Sequence, residues 1–279
     1  MTVLSFTLLV WTISLLAGFL GALTGLGGGV VLVPVLALAF GVDIRYAIGA
    51  SLVSVIATSS GAAAAYVKEG YTNIRIGMFL EIATTLGATA GAFAATHVST
   101  QTIAIIFGLV LIYSAYQSFF EPERNVRESF TPDPLGAKLK LNGAVPVGKS
   151  RQYYYVQNVP TGFGLMVGAG ALSGLLGIGS GAMKVIAMDR VMRIPFKVST
   201  TTSNFMIGVT AAASAGVYLG RGYIDPGLAM PVMLGVLSGA LLGTKVLVRS
   251  RVATLRKVFA GVIFLLAVEM LFNGFTGRL

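Results

Sequence analysis

Residues 18–93 align without a gap on residues 170–245, at a constant offset of 152. A self-match of this kind means that one unit is present twice, so the fold must place that unit twice. The matched positions are mostly ones where backbone geometry or close packing restricts the residue. Gly25, Gly27 and Gly29 fall on Gly177, Gly179 and Gly181, Ser51 on Ser203, Thr58 on Thr210 and Tyr66 on Tyr218. Further on, Gly70-Tyr71 matches Gly222-Tyr223, and Gly87-Ala88-x-x-Gly91 matches Gly239-Ala240-x-x-Gly243. A chain with 36 glycines and 55% hydrophobic residues aligns loosely with itself in many registers, but would not hold one register through several loops.

The unit is a membrane unit. A mean hydropathy of +0.84 with only 11% charged residues lies outside the range of soluble domains, and several apolar runs are long enough to cross a bilayer of ~30 Å. The net charge of +10 could suggest nucleic acid, but the basic residues sit in short loops between apolar runs, where they face lipid headgroups; no nucleic-acid partner is expected. There is no cysteine, hence no disulfide, thiolate site or thiol nucleophile. His97 is the only histidine and falls in a short loop, so neither a metal, a cofactor nor enzymatic chemistry is expected. The glycine runs lack a nucleotide-binding pattern, which argues against action driven by ATP. The first apolar run has no basic leader and its Gly-rich end recurs deep in the chain, so it is expected to be a retained span rather than a signal peptide.

The sequence predicts an all-α polytopic membrane protein of two inverted repeats, residues 1–120 and 160–279, joined by a cytoplasmic linker over 121–159. Each repeat should have about four full spans and one short broken or re-entrant helix after a Gly-rich break. Spans are expected near 4–24, 46–67, 75–96 and 101–120, then 160–177, 199–219, 227–246 and 257–275, with short pieces at 30–41 and 182–192. If each short piece returns the chain to the side where its preceding span began, 16 Lys and Arg fall on one face and three on the other. The positive-inside rule then puts the linker in the cytoplasm and both termini outside, in the cell inner (plasma) membrane. The loop 97–101 has no Lys or Arg and its counterpart 245–257 has five, so the copies are expected to cross in opposite directions. A small hairpin is anticipated at Lys138–Leu141, within a segment read mainly as a tether.

A glycine cluster inside a membrane segment frees backbone N–H groups, which favour an anion at the start of the next half-helix. The bland alternative is close helix approach, preferred for Gly87, Gly91, Gly239 and Gly243. For the breaks themselves a binding role is preferred, with Gly27, Gly28, Gly29, Val30, Gly179, Ser180, Gly181 and Ala182 supplying backbone N–H groups. Lys184 lies in an apolar setting where the first copy has Leu32; it either balances an anionic substrate, or snorkels to the surface or pairs with Asp189. Ser51 and the run Ser199 to Asn204 could cap helices or hold an oxyanion, with Thr202, Ser203 and Asn204 preferred as ligands. Glu81 and Glu269 are carboxylates in apolar spans, and either could carry a coupling proton or have a local structural role.

Gly25-Leu-Gly-Gly-Gly-Val-Val-Leu-Val-Pro34 resembles the first glycine motif of the sulfite exporter TauE/SafE family of membrane transporters. Gly177-Ile-Gly-Ser-Gly-Ala-Met-Lys184, with Thr202-Ser-Asn-Phe-Met-Ile-Gly-Val-Thr-Ala211, is similar to that family's second motif and the span after it. Ser180 stands where the family usually has glycine, and Ile186 where a proline matching Pro34 would be expected. The resemblance implies gradient-driven transport, as exporter or importer, of a small sulfur-containing anion such as sulfite, sulfoacetate or isethionate. The expected partners are that anion, a coupling ion (H+ or Na+), the lipid bilayer and a possible homodimer mate. A passive anion channel, or a transporter of a small non-sulfur organic anion, is the alternative; a purely structural subunit would leave Lys184 and the polar run unexplained.

Overall fold

The computed structural model describes residues 2–24, 28–68, 71–120, 133–147, 150–247 and 252–277. In hydrocarbon a backbone polar group has no water to bond, so each apolar run satisfies its N–H and C=O groups by becoming a helix. In the first copy these are α1 (Val3–Thr24), α2 (Gly29–Phe40), α3 (Ile44–Lys68), α4 (Ile74–Ala95) and α5 (Thr100–Phe120). The second copy has α7 (Val159–Leu176), α8 (Gly181–Ile186) continued by a π-helical turn Ala187–Val191, α9 (Phe196–Gly220), α10 (Pro226–Leu247) and α11 (Val252–Thr276). Five stretches, Leu4–Gly21, Ile74–Ala95, Thr100–Gln117, Val159–Leu176 and Pro226–Gly243, are long and apolar enough to cross a membrane; Gly29–Phe40, Ile44–Ser60 and Ala260–Thr276 are shorter apolar stretches. A helix is found within a few residues of each predicted span and short piece, five of them long and apolar enough to cross among the described residues.

The packing exchanges helices between the copies. α1 lies along α10 and α4 along α7, and the 152-residue offset converts each pair into the other; α3 with α9, and α5 with α11, bring equivalents together. The close pairs meet through glycine. A Cβ added at Gly87 or Gly91 would run into the α7 backbone at Val167 and Ala171, and one at Gly235 or Gly239 into the α1 backbone at Trp11 and Leu15. The Gly235-x-x-x-Gly239 face is thus used inside the chain.

Polar contacts gather the helix ends into two groups. In one, Arg45 Nη2 donates to Val98 O at 2.8 Å and the Tyr46 and Tyr223 rings meet edge to face at 5.5 Å, so the start of α3 adjoins the ends of α4 and α9. In the other, Asn73 N–H, in the segment after α3, donates to Thr202 Oγ1 near the start of α9 at 3.1 Å.

The described part of the linker is folded onto this second end. Asp133 begins α6 (Pro134–Lys138), where its carboxylate accepts from Leu135 N–H and also from Val159 N–H at the start of α7. The antiparallel hairpin is formed by β1 (Gly143–Val147) and β2 (Ser150–Tyr154), with Gly143 opposite Tyr154. It therefore lies beyond Lys138–Leu141, which instead finishes α6 and turns with Lys140 at φ +53°. Leu141, Val145, Tyr154 and Val156 pack with Ile76, Leu80, Met166, Met192 and Met206 in one apolar cluster, so this stretch is a packed cap. Residues 121–132 of the expected linker lie outside the described residues.

Candidate functional site

The second break is a tight left-handed turn. Gly177, at φ +68°, ends α7 with its N–H on Ser173 O at 2.8 Å; Gly179 at +72° and Ser180 at +46° then redirect the chain into α8. Glycine enters this region freely, whereas a serine does so at a penalty on the order of 1 kcal/mol. Ser180 adopts it nonetheless; the residue is 4% exposed, and its hydroxyl has no hydrogen-bond partner among the described residues. Where the first copy carries Pro34 inside α2, the second runs through Ile186 into the π-helical turn.

Of the first break, Gly25 and Gly27 lie outside the described residues. Gly28 O accepts from Val31 N–H and Leu32 N–H, so the N–H groups of Gly29 and Val30 precede the first bonds of α2. The two breaks touch. Ser51 Oγ, on α3, donates to Gly177 O at 2.8 Å, and a Cβ at Gly29 would collide with Ser51 Oγ and press on Gly177 O. On the other side Ser203, the equivalent of Ser51, donates to Gly181 O at 3.2 Å. Val55 and its equivalent Ile207 both flank Gly179.

Lys184 is fully buried and does not reach the surface. Helical side chains lean toward the N-terminus of their helix, which for Lys184 means back toward the break. Its Nζ donates to Thr210 Oγ1 at 2.6 Å, and Thr210 Oγ1 donates to Glu81 Oε1 at 2.6 Å. Thr85 Oγ1 adds a longer bond, 3.3 Å, to the same carboxylate oxygen, while Glu81 Oε2 is buried without a partner among the described residues. An ammonium has three donors, and among the described residues Thr210 is the one acceptor found for Lys184. This polar chain joins α8, α9 and α4, and occurs once: Leu32, Thr58 and Met233 occupy the equivalent positions, and among the described residues the Thr58 hydroxyl bonds to Ser54 O and Val55 O.

The remaining candidates are dispersed. Successive helical residues are rotated by about 100°, so the hydroxyl run at the start of α9 is split between faces. Ser203 faces the break, Thr202 faces α4 through Asn73, and Asn204 is half-buried. Glu269 is exposed on α11, away from this chain of contacts. Thr210 was not among the expected ligands. The available signal was its match with Thr58 as a hydroxyl repeated inside an apolar helix, at a helical spacing of seven from Ser203.

A family model described as sulfite exporter TauE/SafE matches residues 10–270. Over 97% of its length the chain is 26% identical to the "Probable membrane transporter protein YunE" of Bacillus subtilis (strain 168), covering 99% of that protein. It is 25% identical to "Probable membrane transporter protein YdhB" of the same organism over 85% of the chain and 87% of that protein. A "Probable membrane transporter protein" of Xylella fastidiosa (strain 9a5c) is 24% identical over 92% of both. No solved structure matches.

Proposed function

The chain belongs to the sulfite exporter TauE/SafE family and is a multi-pass membrane transporter, and on that premise we propose that it is a secondary transporter, in the exporting direction, of a small sulfur-containing anion such as a sulfonate or sulfite. The anion binds where the two glycine breaks meet. What carries this reading is the contact of Gly29 and Ser51 with the second break at Gly177, together with the buried Lys184 ammonium three residues beyond Gly181, for which Thr210 is the one acceptor among the described residues. The orphan hydroxyl of Ser180 and the first N–H groups of α2, those of Gly29 and Val30, add donors at the same place. A sulfonate is an apt occupant, because three oxygens share one permanent charge and accept hydrogen bonds from several directions.

Two arrangements support inverted repeats and alternating access. The start of α3 adjoins the end of α9, while the start of α9 adjoins the segment after α3, as expected of equivalents that run in opposite directions. The lysines and arginines Lys138, Lys140, Arg190, Arg193 and Lys197 belong to the end that carries the hairpin, against Arg45 and Arg221 at the other. That bias supports a cytoplasmic hairpin and both termini outside. Motion of one set of cross-packed helices against the other would open the meeting point of the breaks to each side in turn.

The test is uptake into proteoliposomes of isethionate, sulfoacetate, sulfite, acetate and taurine, with thermal melting of the purified protein against the same panel. Saturable uptake and counterflow of sulfur oxyanions are expected, and both should vanish in the charge-neutral pair Lys184→Met/Glu81→Gln. Uptake of carboxylates alone would replace the substrate class, and flux that never saturates would make the protein a channel.

A further inference from the structure

We propose that Glu81, Thr210 and Lys184 form a proton-coupling centre, in which the transported anion replaces Glu81 as the counter-charge of Lys184 and Glu81 takes up one proton. This rests on the anion site proposed above and assigns its coupling ion. In the resting arrangement the Lys184 ammonium donates to Thr210 and Thr210 donates to the Glu81 carboxylate, so the two buried charges cancel through one hydroxyl. An unpaired charge in this setting is strongly disfavoured, so the centre stays neutral as its partners change.

The charge count follows from that condition. A monovalent anion entering at the breaks accepts from the Lys184 N–H donors that have no acceptor among the described residues. Among the described residues Glu81 then faces no free cation, and its carboxylate oxygen Oε2, buried and without a partner among them, is the atom that receives the proton. Thr210 either keeps its single O–H on Glu81 Oε1, now the carbonyl oxygen of the acid, or turns it to the anion. The buried net charge is zero before and after, and release of the anion returns the proton. One anion and one proton cross together and no net charge moves, so in the exporting direction the anion's own outward gradient drives the cycle and carries the proton with it.

Among the described residues packed against Glu81, no other carboxylate competes for this role. α7, packed along α4, carries no Asp, Glu, Lys, Arg or His over 159–176. On α4 the other charge is Arg75 in its first turn; α9 offers Lys197 in its first turn and Tyr218 near its far end. Beyond Lys184, α8 is followed by Asp189 and Arg190 in the π-helical turn. The second copy of the unit has Met233 in place of Glu81 and the first has Leu32 in place of Lys184, so the centre exists once per chain.

The experiment has two arms. Without any substrate, infrared difference spectra of the full-length protein in lipid at neutral pH should show a protonated-carboxyl band in Lys184→Met, absent from wild type and from Lys184→Met/Glu81→Gln. A spectrum in which Glu81 stays ionised without Lys184 overturns the proposal whatever the substrate is. In proteoliposomes with an internal pH dye and a clamped potential, entry of each transported monovalent anion of the panel should acidify the lumen by one proton per anion. Glu81→Gln should retain anion counterflow while its proton flux falls to the background of empty liposomes, and Thr210→Val should slow coupled flux on the order of tenfold. Proton flux that persists in Glu81→Gln, or that requires sodium, overturns the coupling assignment; failure of every anion to move, with the infrared band present, overturns the transport reading instead.

Discussion

Ser51 and Gly177 lie 126 residues apart in the chain, yet the serine hydroxyl sits 2.8 Å from the glycine carbonyl and ties α3 of the first copy to the helix break of the second. A carbonyl left bare by a break in a buried segment has few alternatives, so removing its donor leaves an unsatisfied acceptor.

Ser51→Ala should therefore lower stability by about 1–3 kcal/mol, the range for stranding a buried polar group. Thermal melting in detergent checks it, with Ser60→Ala as control, because the Ser60 hydroxyl is exposed and bonds only within its own helix at Ile56 O. Equal melting temperatures for the two variants would mean that the bridge between the breaks contributes nothing.

Two glycines of α7 should respond oppositely to the same change. Gly168 is exposed, with nothing within 4 Å of an added Cβ, whereas a Cβ at Gly170 would enter the Thr84 backbone of α4. Gly168→Ala should be neutral or stabilising by up to about 1 kcal/mol, through helix propensity. Gly170→Ala should destabilise by about 1–3 kcal/mol because α4 and α7 must separate. Urea or thermal unfolding of the two variants side by side decides it.

Removing one member of the Lys184, Thr210 and Glu81 chain should do more harm than removing both charges. Lys184→Met alone strands Glu81 and should destabilise by about 3–5 kcal/mol, whereas Lys184→Met/Glu81→Gln should recover most of that loss. A double-mutant cycle on unfolding midpoints measures the coupling. Additive effects would show that the two charges do not sense one another.

Asn73 holds the hairpin to the helices: Nδ2 donates to Leu141 O at 3.2 Å, the side chain pairs with the Tyr154 hydroxyl at 2.7 Å, and Oδ1 accepts from Ile76 N–H. Asn73→Ala should cost about 1–2 kcal/mol as a lost helix cap alone and should speed proteolysis within 143–154. Burial pushes the Tyr154 phenol above its ordinary value of 10.0. Since the unfolded phenol ionises first, this contribution is full below about pH 10 and falls as pH rises above it. Alkaline titration of hairpin proteolysis should show that loss in wild type and not in Tyr154→Phe.

Much of this architecture is written plainly in the sequence, because long apolar runs and a fixed repeat report directly on a bilayer. The glycine breaks are legible for the same reason: Gly177 and Gly179 occupy left-handed conformations that few other residues accept. What is hidden is direction around a helix. Thr202, Ser203 and Asn204 read as one cluster, yet neighbours on a helix face different ways, so Thr202 holds Asn73 while Ser203 holds the break. The link from Lys184 to Glu81 is hidden too, since it runs through a threonine 129 residues from that carboxylate. The hairpin escaped its predicted place because Lys138–Leu141 alternates in polarity without being extended, while the strands lie in the next residues and include Pro146.

The exchange of helices between copies also separates the order of synthesis from the order of assembly. α1 leaves the ribosome first, but α10, against which it packs, begins only at Pro226. Until then the close-packing face of α1 around Gly18, which Val236 later covers, must wait in lipid without its mate. The pairing of α1 with α10 is thus a long-range docking of helices already in the bilayer, which cannot begin until most of the chain has been made. A chain stalled before α10 would present an orphan α1 to the cell's membrane quality control, whatever the state of the helices between.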